Sequence, residues 1–137
     1  MKANVMNQIK IVIEKTDDLY SAYAENVEGV YGGGETVAEA KQSIVEAIQL
    51  LKEFNQEENI PAALKGEYEL VYKFDAQSLL SYFKGILGQT ALAHLTGINA
   101  RLLQHYASGL KKPRQPQAKK IEAALHKLGS ELMAVEL

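Results

Sequence analysis

The chain has 137 residues and no cysteine, which excludes disulfides, thiolate nucleophiles and cysteine-ligated zinc or iron-sulfur centres. No apolar run approaches the ~18 residues needed to span a membrane, so no membrane association is expected. The opening residues, Met1 to Gln8, lack the apolar stretch and small-residue cleavage site of a secretory leader. The expected location is therefore the cytoplasm. His94, His105 and His126 are the three histidines, and none forms a metal-ligand pair. Serine and threonine are scattered without a neighbouring base, which leaves nucleophilic catalysis without support. The sequence shows no internal repeat and no low-complexity segment. The expectation is a non-enzymatic protein with no metal and no cofactor.

What is present is a strong segregation of charge. The net charge is −2, but residues up to Asp75 hold seven lysines against fourteen acidic residues. From Ala76 onward, eight lysines and arginines face only Glu122, Glu131 and Glu136. A basic half suits a polyanion such as nucleic acid, whereas an acidic half is repelled by one and suits a basic protein. A chain of this length forms one ordinary domain or two very small ones, and small domains are often stabilised by oligomerisation.

The pattern along the chain predicts an α+β fold in two domains, 1–75 and 76–137. Ile9, Ile11 and Ile13 alternate with Lys10, Val12 and Glu14, marking a strand over Gln8 to Lys15 with one strongly buried face. Tyr20 to Glu25 repeats the alternation more weakly. A glycine-rich turn region with Gly29 and Gly32-Gly33-Gly34 encloses Val30 and Tyr31, leaving room for a short third strand. Thr36-Val37-Ala38-Glu39 reads as a capping box, and Val37, Ala40, Ile44, Ile48 and Leu51 continue at helical spacing. After the breakers Pro61 and Gly66, Tyr68, Leu70, Tyr72 and Phe74 alternate in a strand over Glu67 to Phe74. The first domain thus reads β-β-β-α-β.

Beyond Asp75, a good N-cap, the chain is all-α with four or five helices. Leu79, Leu80, Phe83 and Ile86 mark the first, Leu92 and Leu95 the second, and Leu102, Leu103 and Tyr106 the third. Ile121, Ala124, Leu125 and Leu128 mark the fourth, and Leu132 and Val135 are left for a short fifth.

The informative stretch runs from Gln89 to Ser108, where two short helices flank a turn at Gly97. Ala93 is small enough for the helices to approach, and Gly97 takes a positive φ without steric cost. Leu92, Ile98 and Leu103 fill the wedge between the helices, and Asn99 caps the second. That helix would present Asn99, Ala100, Arg101, Gln104 and His105 outward, able to contact base edges in a groove. Gly109 ends it, and Lys111, Lys112 and Arg114 follow on a loop stiffened by Pro113, placed to meet phosphates. Gln89 and Thr90 open the preceding helix, whose free amides also favour a phosphate oxygen.

Gln89, Leu92-Ala93, Thr96-Gly97-Ile98, Leu103 and the trailing run Tyr106 to Pro113 resemble the phage-repressor-type (XRE family) helix-turn-helix. That resemblance implies operator DNA as a partner, read by a dimer. Asn26-Val27-Glu28-Gly29-Val30-Tyr31, Gly34-Glu35-Thr36 and Ala38-Glu39-Ala40 resemble the partial RNase H-like domain of HicB antitoxins. This second resemblance implies an antitoxin of a type II toxin-antitoxin system. Its partner would be a small basic RNA-cleaving toxin of the HicA type, and it would repress its own operon. The chain departs from that family in having Glu28 where a proline usually precedes the glycine, and in its longer glycine run. An active RNase H-like site needs several converging carboxylates to hold two metals. The first strand offers only Glu14, and Asp17 and Asp18 follow in a turn. Candidate partner contacts are Tyr20, Tyr23, Glu25, Asn26 and Tyr31. The alternative function is a stand-alone helix-turn-helix transcriptional regulator whose first domain dimerises or senses a ligand. A homodimer or tetramer is expected, with strand edges and the last helix both available for pairing.

Overall fold

A computed structural model describes residues 6–137. Residues 1–5, part of the segment read for a leader, lie outside the described residues. The fold is α+β, with four strands and five helices among those residues. The chain divides into two compact units, one ending at Ser78 and the other running from Leu79 to Leu137. Among the described residues no helix is long and apolar enough to cross a membrane.

In the first unit, β1 (Asn7–Lys15), β2 (Tyr20–Ala24), β3 (Tyr31–Gly34) and β4 (Tyr68–Phe74) form a mixed sheet in the order β3-β2-β1-β4. The isoleucine-rich β1 is central, antiparallel to β2 and parallel to β4. Ile9, Ile11 and Ile13 are fully buried, and Val12 on the opposite face is nearly so, at 8% exposure. The sheet thus buries β1 more evenly than the alternation of its sequence suggests. Helix α1 (Val37–Phe54) covers one face with Val37, Ala40, Ile44 and Ile48. Thr36 caps it by accepting from the Glu39 amide. The reciprocal half of the expected capping box is displaced by one residue, because the Glu39 carboxylate accepts from the Glu35 amide at 2.8 Å. Two short 3-10 turns, Glu57–Asn59 and Ala62–Leu64, lead into β4 and bury Leu64 completely.

The third strand is displaced from its expected place. Val30 is buried ahead of it, and the strand itself consists of Tyr31 and the three glycines. The reason is close packing. A Cβ on Gly32 would lie 2.6 Å from Ser43 Oγ, and one on Gly34 would lie 2.9 Å from the Ala40 amide nitrogen, so α1 rests directly on the β3 backbone. The glycines that read as a turn are what this contact requires.

Helix α2 (Ala76–Phe83) follows β4 and spans the division at Ser78; in the second unit α3 (Gln89–Thr96) and α4 (Ala100–Ser108) are short, and α5 (Gln115–Met133) is long. Asp75 caps α2 by accepting from the Ser78 amide, and its other oxygen accepts from the Lys15 amide at the end of β1. Leu80, Leu92, Ile98, Leu103, Tyr106 and Ile121 form the core. One expectation fails here. Ile86 lies past the end of α2 and is 71% exposed. Of the four or five helices expected in this half, four are present among the described residues, since α5 continues through Gly129 and Leu132 to Met133. An isolated glycine weakens a helix by about 1 kcal/mol relative to alanine, too little to stop a helix of this length.

Candidate nucleic-acid interface

Three residues, Thr96, Gly97 and Asn99, set the angle between α3 and α4. Gly97 ends α3 at φ +73°, with its amide donating to the Ala93 carbonyl. A residue with a Cβ would be strained at that φ. Buried Thr96 fixes both sides of the turn, since its hydroxyl donates to the Leu92 carbonyl at 2.7 Å and accepts from the Ile98 amide at 3.1 Å. Asn99 then starts α4, its side-chain oxygen accepting from the Leu102 amide at 2.8 Å. Leu92, Ile98 and Leu103 are all buried between the helices. Thr96 is a residue whose role the sequence reading left out, although the signal was there: a hydroxyl beside the turn glycine can bond backward and forward along the backbone.

With Leu103 and Tyr106 buried, helical spacing turns Arg101 and Gln104 to the outside, where both are exposed. Asn99 is exposed as well, whereas Ala100 and His105 are half-buried at the margins of that face. The expected outward set therefore separates into an exposed centre and two less accessible flanks. Gly109 ends α4 at φ +82°. The following loop is tied back by the Lys111 amide, which donates to the His105 carbonyl at 3.2 Å, and by the Leu110 amide on Ser108 Oγ. Exposed Lys111 and Lys112 thus follow closely on the end of α4. Arg114, expected in the loop, is the N-cap residue of α5 and is exposed, with no side-chain capping bond.

Gln89 and Thr90 open α3, which is preceded by Gly88, so no side chain caps the first-turn amides. Gln89 and Gln104, from different helices, line one small cleft with Lys84, Ser81 and Ser108 over a floor that includes Leu92 and Leu103. Lys84 was not singled out from the sequence, because nothing in its local pattern distinguishes it from any solvated lysine. The ion pairs among the described residues are Glu25 with Lys73 and Lys119 with Glu122. Arg101, Lys111, Lys112 and Arg114 take part in neither. Exposed amides, an arginine on a helix face and unpaired cations beside it form a surface suited to a polyanion.

The five partner candidates in the first unit do not form one patch. Tyr23 lies opposite Val12 on β1 and Tyr31 on β3, and Tyr31 is 71% exposed. Glu25 follows β2 and reaches Lys73 at 3.9 Å. Tyr20, three residues from Tyr23, belongs to the opposite face by strand alternation, with Lys15 Nζ 4.5 Å from its ring centroid. Asn26 is engaged with β1, accepting from the Lys10 amide and donating to the Gln8 carbonyl. Among the described residues, no three histidine, aspartate or glutamate side chains are grouped so as to hold a metal ion.

Comparison of the chain with protein-family models, curated proteins and solved structures finds no match.

Proposed function

We propose that this protein is a sequence-specific DNA-binding repressor in which α3 and α4 act as a helix-turn-helix and α4 enters the major groove. The observation that carries the reading is the exposed face of α4, with Arg101 and Gln104 on it and the unpaired cations Lys111, Lys112 and Arg114 close after it. Arg101 and Gln104 read base edges, with Asn99, Ala100 and His105 at the margins. Gln89, Thr90, Lys111, Lys112 and Arg114 hold phosphates and so fix the register. Two copies place their α4 helices in successive major grooves about 34 Å apart on a pseudo-palindromic operator.

In the same proposal the first unit is a partial RNase H-like, HicB-type domain, and the chain is the antitoxin of a HicA-like RNA-cleaving toxin. The acidic unit covers the toxin's active site, so neutralisation requires no chemistry from the antitoxin itself. The clustering of Tyr23, Tyr31 and Glu25 on the sheet face away from α1 favours that face as the contact. The excess of acidic residues in this unit favours a basic partner. The test is a shift assay on the DNA upstream of the coding sequence, with and without any small basic protein encoded beside it. A retarded band on that DNA, absent on a scrambled duplex, supports the reading. Equal binding to both duplexes contradicts it.

A further inference from the structure

The cleft bounded by α2, α3 and α4 encloses about 160 Å³ within the second unit. Its floor is continuous with the core: Leu80, Leu92 and Leu103 are buried there, and Leu87 and Ala107 pack against them. Polar groups stand around that floor. Ser81 and Lys84 come from the last turn of α2 and just past it, Gln89 from the start of α3 and Gln104 from α4. Among the described residues these four side chains have no hydrogen-bond or ion-pair partner. Ser108, also on the rim, differs, because its hydroxyl donates to the His105 carbonyl and accepts from the Leu110 amide. No acidic side chain lines the cleft, and the acids of this unit, Glu122, Glu131 and Glu136, all lie on or beyond α5.

We propose that this cleft binds a small monocarboxylate with an apolar body, and that its occupancy opposes DNA binding. Size sets the first limit. A cavity of about 150 Å³ holds one benzene ring, whereas sites for larger organic ligands start at roughly 300 Å³. The apolar part of the ligand is therefore of single-ring scale, and a nucleotide does not fit. Charge sets the second, since one cation and no anion in the lining match a single negative charge. A carboxylate only accepts hydrogen bonds. The Lys84 ammonium and the carboxamide N–H groups of Gln89 and Gln104 are the donors for it, while the leucine floor covers the apolar body. A neutral ligand leaves the ammonium unused, and a free phosphate leaves the floor bare. The effect on DNA rests on the reading of α3 and α4 given above, because Gln89 and Gln104 cannot serve the ligand and the DNA at once. The site itself does not depend on that reading.

Benzoate is the probe, titrated into the full chain without DNA and followed by amide-detected NMR. Saturable shifts at Gln89 and Gln104, with a dissociation constant on the order of 1 mM or tighter, are expected for a ligand of this size. Lys84→Met removes the charge at an exposed position and should weaken binding roughly tenfold or more. Ala107→Leu fills the cleft without removing a polar group and should abolish binding. Circular dichroism confirms that both variants are folded. Benzamide, which keeps the ring without the charge, and acetate, which keeps the charge without the ring, should each bind about tenfold more weakly or worse. Absence of saturable binding, benzamide or inorganic phosphate binding as well as benzoate, or binding undiminished in either variant overturns the site. The regulatory step is read separately, by anisotropy titration on the upstream DNA at constant ionic strength. Saturating benzoate should lower the affinity of the wild-type chain about tenfold or more and leave that of Ala107→Leu where it was. A wild-type affinity indifferent to benzoate overturns the regulatory step. A chain that binds benzoate yet shows no preference for its upstream DNA in the absence of ligand sinks the DNA reading and the regulatory step with it, while the site stands.

Discussion

Arg101 and Lys112 carry different parts of the proposed binding, and their variants should separate accordingly. An arginine on the groove-facing side of α4 can bond two acceptors on one guanine, which gives discrimination between bases. Arg101→Ala is expected to lose about 1–3 kcal/mol on the operator and much less on unrelated DNA, measured by anisotropy titration on both. In the proposed complex a lysine in the loop after α4 meets only phosphate. Lys112→Ala should weaken all sequences alike and reduce the slope of log affinity against log salt by about 1. Thr96 contributes to the fold rather than to the contact. Thr96→Val keeps the shape but leaves the buried Ile98 amide without its acceptor, an expected loss of about 1–3 kcal/mol in denaturant unfolding.

At the scale of elements, the sequence was most legible where one local rule decided the outcome. The isoleucine alternation of β1, the Thr36 and Asn99 caps and the positive φ at Gly97 are of this kind. Legibility failed where a distant segment decided. Gly32 and Gly34 read as a turn because the helix that demands their missing side chains arrives only after them in the chain. Gly34→Ala is therefore expected to destabilise the protein by about 1–3 kcal/mol, since the new Cβ meets the α1 backbone. Gly85→Ala, where a Cβ meets nothing, should change stability little by the same thermal or denaturant measurement. Spacing alone leaves open whether Leu132 and Val135 continue the last helix or form a further short one; Gly129 does not stop α5, because the propensity of one residue is small against a 19-residue helix. In the candidate interface, spacing located Arg101 and Gln104 correctly on the exposed face. It did not reveal that His105 is half-buried, or that Lys84 lines one cleft with Gln89 and Gln104. Those features come from packing among three helices.

At the scale of the whole molecule, the division of charge is the feature that most needs a functional explanation. A chain of net charge −2 gains nothing in solubility from concentrating acids in one unit and bases in the other. The two proposed partners, a nucleic acid and a basic protein, would account for the division. If the second partner is a small basic ribonuclease, adding the full chain at equimolar ratio should abolish RNA cleavage. Charge reversal at exposed Glu25 should weaken that inhibition without altering DNA binding, and unchanged inhibition would remove Glu25 from the contact surface. The central claim, sequence-specific DNA binding through α4, is tested most directly by titrating the full chain against its own upstream DNA and a scrambled duplex at matched physiological salt. A preference for the upstream DNA of about a thousandfold or more, largely lost in Arg101→Ala, is the expected result. Equal affinity for the two duplexes, or a preference that survives Arg101→Ala intact, would contradict it.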